Sequence, residues 1–358
     1  MTKKIILLSV FIFQFISCNT KETEYLGRKN VIKITDSDFK EDISLVSESL
    51  PYMTDQLILP GRLLLLDDFL IVTERKSDKT LHVIDLKTEK YMGMFVNKGE
   101  GPNEIRSPWT VSKIDNTSFI IADFRQRKYL CYTIDELMNS SIPFLEEKLE
   151  QNGITDNLYY NKNLDKLFYS GTFTENHMLF EKELTSGKII GHSTLLDANG
   201  SLNNIEVKNH LSFKQSHSNS DNTFFAFTYA FAPVVETFDI NTKMLKTITL
   251  PHTNEPIYKS VIHKDGSTSV GVINKTITEF CDVYMSDNYI YALYSGKTIG
   301  EKKSKTSIIY VFDLELNPIK KYNLDAEIQY FEVKDDTIIY GLDFETDIYP
   351  RIAKYNLK

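Results

Sequence analysis

The chain has 358 residues, 42% of them hydrophobic and 25% charged, with a formal net charge of −8. That is enough apolar material for a substantial core, and the acidic balance argues against a nucleic-acid binder, which would show a basic face. Twenty Tyr and 22 Phe against a single Trp, Trp109, lean the composition toward half-buried strands.

The chain opens with a secretory pattern. Lys3 and Lys4 form a basic start and residues 5–16 an apolar run, shorter than the ~20 residues a membrane-crossing helix needs. The run ends at Phe15-Ile16-Ser17-Cys18, which resembles a bacterial lipobox with Phe15 where Leu is usual. The resemblance implies that residues 1–17 are a lipoprotein signal peptide, that Cys18 is lipidated, and that this lipid is the sole membrane anchor. Asn19 is not the Asp that marks inner-membrane retention, which points to the outer membrane, facing either the periplasm or the cell surface. Residues 18–29, with Lys21, Glu22 and Glu24, read as a polar tether. Cys131 and Cys281 sit in apolar runs and read as buried free thiols.

A short apolar register then recurs six times, roughly 50 to 65 residues apart. It reads Leu70–Glu74, Phe119–Asp123, Leu167–Gly171, Phe225–Tyr229, Ile290–Tyr294 and Ile338–Leu342. Each run is nearly continuous, as expected of a strand buried on both faces. A second strand-like register follows each one, and most end in an acid before a polar turn (Asp85, Asp135, Glu183, Asp239, Asp313). Four short strands per roughly 50-residue repeat indicate an all-β, six-bladed β-propeller. The sixth repeat is one strand short. Residues 30–35 form a strand-like run with no repeat of their own, so they are expected to complete the last blade and close the ring. On this reading residues 30–358 are one domain. Two β-sandwich or barrel domains joined near residues 196–209 are the alternative, but the register crosses that stretch in phase.

Between the first two repeats lies the densest turn signal, Gly99-Glu100-Gly101-Pro102-Asn103-Glu104. Its glycines permit positive φ and its Pro fixes φ and removes a donor. Two insertions stand out, at residues 251–279 and 295–306; the second carries Lys297, Lys302, Lys303 and Lys305 and reads as a solvated loop.

The lipobox, the six repeats and Gly99-x-Gly101-Pro102-x-Glu104 together resemble the TolB-like six-bladed β-propeller lipoproteins of bacteria. The resemblance implies an exported propeller of the cell envelope that binds a ligand or partner and has no established activity. The residues show no Gly-x-Ser-x-Gly elbow, no His-Glu-x-x-His and no calcium loop, and the seven His are scattered without ligand spacing. No catalytic set, metal or cofactor is therefore expected. Loops on one face of a propeller share the channel mouth, and loops on a rigid scaffold carry function. That face is expected to present Arg75, Glu104, Arg106, Trp109, Asp123, Arg125, Tyr229 and Tyr294 as ligand contacts, for a glycan, a peptide or an envelope protein. Arg beside aromatics and acids suits anionic or sugar-like groups. The alternative is a hydrolase or lyase acting on a polysaccharide or peptide, with acid–base chemistry from Glu74, Glu104 and Asp123.

Overall fold

The computed structural model describes residues 23–50, 56–123, 125–140, 142–149, 153–198, 204–250, 255–301, 307–344 and 349–357. Residues 1–22, which include the expected signal peptide and Cys18, and parts of both insertions lie outside the described residues. Six antiparallel sheets form the blades, and their first strands run down a central channel. These inner strands are Pro60–Leu66, Pro108–Lys113, Gly153–Asn161, Lys214–Ser218, Ile277–Met285 and Ile328–Lys334. Each touches the next, and the sixth touches the first, so the ring is closed.

The first repeated register is the second strand of every blade: Phe69–Glu74, Ser118–Asp123, Lys166–Phe173, Phe224–Tyr229, Tyr289–Thr298 and Ile338–Asp343. These runs are buried on both faces because neighbouring blades pack against them, and their side chains make up the inter-blade clusters. The second register is the third strand. Its terminal acids behave as turn acceptors: Asp85 takes the N–H groups of Lys87 and Thr88, and Asp239 those of Asn241 and Thr242. Asp135 instead opens a short helix, Ile134–Met138, capped by Thr133 and Glu136.

Ring closure differs from expectation. The strand Arg28–Lys33 pairs parallel to the outer strand of blade 4, with Ile32 against Ile248 and Lys33 against Thr249. Glu41–Leu45 pairs parallel to the outer strand of blade 5. The sixth blade receives its fourth strand from Glu48–Ser49, opposite Lys354 and Ala353. The segment from Arg28 to Ser49 is thus a belt laid over three successive outer edges. Its first stretch is pinned to blade 4 by a charge: the Arg28 guanidinium is 5% exposed and donates to Glu236 at 2.5 Å and to the Thr194 carbonyl at 2.7 Å. A buried arginine of this kind has one well-paired location, and that location is not the last blade. Within the stretch expected as a tether, Thr23–Tyr25 folds back on Arg28–Lys33 through Leu26 and Gly27, both at positive φ.

Among the described residues no helix is long and apolar enough to cross a membrane, and Cys131 and Cys281 are free thiols. In the first insertion Lys259–Ile262 and Thr268–Gly271 form a two-stranded hairpin whose second strand rests on the helix Ile205–Leu211. The second insertion is partly built into blade 5: Lys297 and Thr298 pair with Thr278 and Ile277, and Lys297 meets Glu327 at 2.5 Å.

Candidate functional site

The inner strands break register at the same end of the channel. The pairing skips over Gly61 and Arg62 in blade 1, Trp109 in blade 2, Asp156 in blade 3, Glu279 and Cys281 in blade 5, and Gln329 in blade 6. A bulge leaves one residue out of the ladder and re-aims it, a common device beside functional sites. Arg62, Trp109, Asp156, Cys281 and Gln329 all line one cavity of about 760 Å³ at this end of the channel. Blade 4 contributes Phe213 and Gln215, and Phe231, Val272, Ile299 and Tyr330 complete a largely apolar wall. The bulge in blade 3 depends on a glycine: a Cβ at Gly171 would lie 1.9 Å from the Ile154 carbonyl oxygen.

Arg62 forms the floor. Its guanidinium lies 4.3 Å above the Tyr330 ring, donates to Gln215 Oε1 at 2.5 Å and sits 3.5 Å from Asp282 Oδ1. Beyond it lies a second cavity of about 550 Å³, which shares Arg62 and Tyr330 but is polar. Asp282, Glu332, Tyr159, His217, Asn157 and Lys113 line it, and Asp67, Asp68, Asp287, Asp335 and Asp336 lie around its outer end. The channel is therefore two chambers divided by one arginine.

Burial governs the charges in both. It pushes the Asp156 carboxyl up to about 6 against the pull of Lys214, Arg62 and the Trp109 side chain. It pushes Asp282 up to about 6 against Arg62 and the Phe331 N–H, and Glu332 well above the carboxylate range. The same desolvation brings Lys214 down to about 8 and His217 to about 4. Among the described residues no three His, Cys, Asp or Glu side chains converge to hold a metal.

A family model described as TolB-like 6-blade propeller-like matches residues 37–336. The chain belongs to this TolB-like family. Among solved structures it is similar to a Bacteroides fragilis NCTC 9343 protein described as exported, at 12% identity and a TM-score of 0.56, covering 91% of this chain and all of the other. It is also similar to a DUF4221 family member from Bacteroides vulgatus, at 9% identity and a TM-score of 0.53, covering 88% and 96%. At these identities the likeness shows the fold. No curated protein matches the chain.

Within this TolB-like propeller the expected contact residues separate. Trp109 lines the wide chamber. Glu104 turns inward to its own loop and accepts the Gly101 N–H at 2.8 Å, while Lys128 and Gln126 from blade 2 donate to the Gly101 and Gly99 carbonyls. The Gly99–Glu104 motif is thus a buttress between blades 1 and 2. Asp123, 1% exposed, gathers the N–H groups of Arg106, Ser107, Arg125 and Gln126. Glu74 does the same for Ile58, Leu59, Arg75 and Lys76. Burial opposes its ionisation, yet His82 and those N–H groups outweigh it and hold the carboxyl at about 2. Arg75 donates to the Pro60 carbonyl, Arg106 pairs with Glu100 at the surface, and Arg125 is exposed. Tyr229 is fully buried, its hydroxyl on Glu236 in the network that anchors Arg28. Tyr294 packs against Phe280 and Tyr310 between blades.

Arg62, Asp156, Asp282 and Glu332 escaped the sequence reading. A signal existed: each is a lone charge in a strand-like stretch, as in Phe280-Cys281-Asp282-Val283 and Tyr330-Phe331-Glu332-Val333. In an inner strand such a charge can face the channel, as these four do.

Proposed function

We propose that this protein is an exported, lipid-anchored binding module of the cell envelope that holds a ligand in the wide chamber. The observation that carries the reading is the convergence of five bulge residues on one apolar cavity with a polar floor. Its size and composition match those of small-molecule sites, which are mostly apolar with a few placed polar groups. Trp109, Phe213, Phe231 and Tyr330 offer flat faces to a ring, a sugar or an aromatic peptide side chain, while Arg62, Gln215 and Asp156 offer hydrogen bonds below them. Anchoring rests on the lipobox-like Phe15–Cys18, and an envelope location fits the description of the similar Bacteroides fragilis structure as an exported protein.

The hydrolase or lyase reading draws less support. Of the three acids it would use, Glu74 and Asp123 are saturated by backbone N–H groups, and Glu104 turns to the Gly101 N–H of its own loop, outside the wide chamber. A working general acid or base needs a free edge toward substrate.

Trp109, the only tryptophan, provides the test. The mature chain is titrated with the apolar fluorophore N-phenyl-1-naphthylamine while energy transfer from Trp109 is followed. Saturable transfer, displaced by an envelope extract and lost in Trp109→Phe, is expected. Non-saturable transfer that the extract leaves unchanged would overturn the assignment.

A further inference from the structure

We infer that the face bearing the wide chamber rests on the lipid bilayer, with the hairpin at residues 259–271 as its contact. The inference rests on the lipid anchor proposed above. Cys18 precedes Thr23 by five positions, so the tether spans at most ~18 Å when fully extended. Thr23–Tyr25 is where that tether joins the disc, and Tyr25 lies beside Glu255 and Glu279 at the root of the insertion. Tyr25, Tyr258 and Val270 pack on the same core cluster. The anchor thus enters at the hairpin and holds this face within one short tether of the membrane.

The surface it brings down is suited to that position. Ile262 is 77% exposed, and Val261, Val272 and Ile299 are each above 40%. Val272 and Ile299 are also rim residues of the chamber. Exposed apolar groups gathered at one mouth mark a contact surface. Lys259, Lys264 and Lys275 are exposed on the same insertion beside Glu255 and Asp265, so its aliphatic side chains stand among lysines that can reach headgroup phosphates. The opposite face carries Asp67, Asp287, Asp335 and Asp336 and would be repelled by anionic lipid. The wide chamber accordingly opens at the membrane surface, within reach of amphiphiles leaving it.

The test uses the full mature chain reconstituted through its own anchor into vesicles of brominated phosphatidylethanolamine and phosphatidylglycerol. A reporter tryptophan is placed at Ile262→Trp, and in a second protein at Asp287→Trp on the far face, each in a Trp109→Phe background. Expected is loss of most of the Ile262→Trp emission with a blue shift, and no loss for Asp287→Trp. Equal quenching of both, or of neither, would overturn the orientation. The intact mass of the mature chain reports the anchor separately. A lipid on Cys18 with an unquenched Ile262→Trp refutes docking alone, and a Cys18 without lipid refutes both readings.

Discussion

The two ends of the channel are built from the same six strands yet have opposite chemistry. At the wide end the strands bulge, and the residues they release are Trp109, Cys281, Asp156, Gln329 and Arg62 among phenylalanines. At the other end the strands keep register, and short polar turns place aspartates around the opening. The difference teaches that in this propeller the ladder decides where a site can form. Regular pairing leaves alternate residues facing the lumen, and only a skipped residue gains the freedom to point along it. Arg62, held by Gln215, Asp282 and Tyr330, keeps the two environments apart.

Removing the geometry of one bulge should break this contrast most severely. Gly171→Ala drives a methyl into the Ile154 carbonyl, and backbone cannot yield as a side chain can. A loss of about 4 kcal/mol in denaturant unfolding is expected, with the blade 3 bulge and Asp156 displaced. Arg62→Met should come next. It merges the chambers and leaves Asp282 buried without its cation, for a loss of about 3 kcal/mol in the same measurement.

A pH series sharpens the contrast further. Burial pushes the Asp282 carboxyl up to about 6 in the folded chain, above the 3.8 of an ordinary aspartate. Well below pH 4, at about pH 2, it is protonated folded or unfolded and costs nothing. As pH rises from about 4 to 6 the unfolded chain ionises while the folded chain stays protonated, so stability is lost, and the loss levels off above 6. Between pH 4 and 7 the wild type should lose on the order of 2 kcal/mol relative to Asp282→Asn. The variant is the right reference because His217, brought down to about 4, titrates in the opposite sense in the same window. Asp156 and Glu279, also raised, are common to both proteins. The smallest effect is expected at Gly99→Ala, where a methyl meets only the movable Glu104 carboxylate. About 1 kcal/mol should be lost, with the channel unchanged.

The blades were legible because a buried second strand must be apolar along its whole length, and six such runs stood out. Turn acids were legible because Asp85 and Asp239 serve only their own local backbone. The ring's closure was not. The outer edges of blades 4, 5 and 6 all accept a strand, and a short polar pair such as Glu48–Ser49 carries no hydrophobic pattern. What placed the belt was a single long-range contact between Arg28 and Glu236, invisible to periodicity. Of the eight residues expected at the mouth, Trp109 lines the wide chamber. Glu104, Asp123 and Tyr229 were assigned to that mouth by position along the chain, but a side chain at the end of a second strand points at loops and neighbouring blades. The lumen belongs to inner strands, whose charges were hidden among apolar neighbours.

Paired substitutions at the two ends give the most direct test of which one binds. Phe231→Asp places a charge in the wide chamber's wall, and Asn116→Arg obstructs the polar one. Affinity for N-phenyl-1-naphthylamine, read by transfer from Trp109, should fall more than about 10-fold in Phe231→Asp and stay at the wild-type value in Asn116→Arg. Loss in Asn116→Arg with Phe231→Asp unaffected would contradict the assignment of binding to the bulged end.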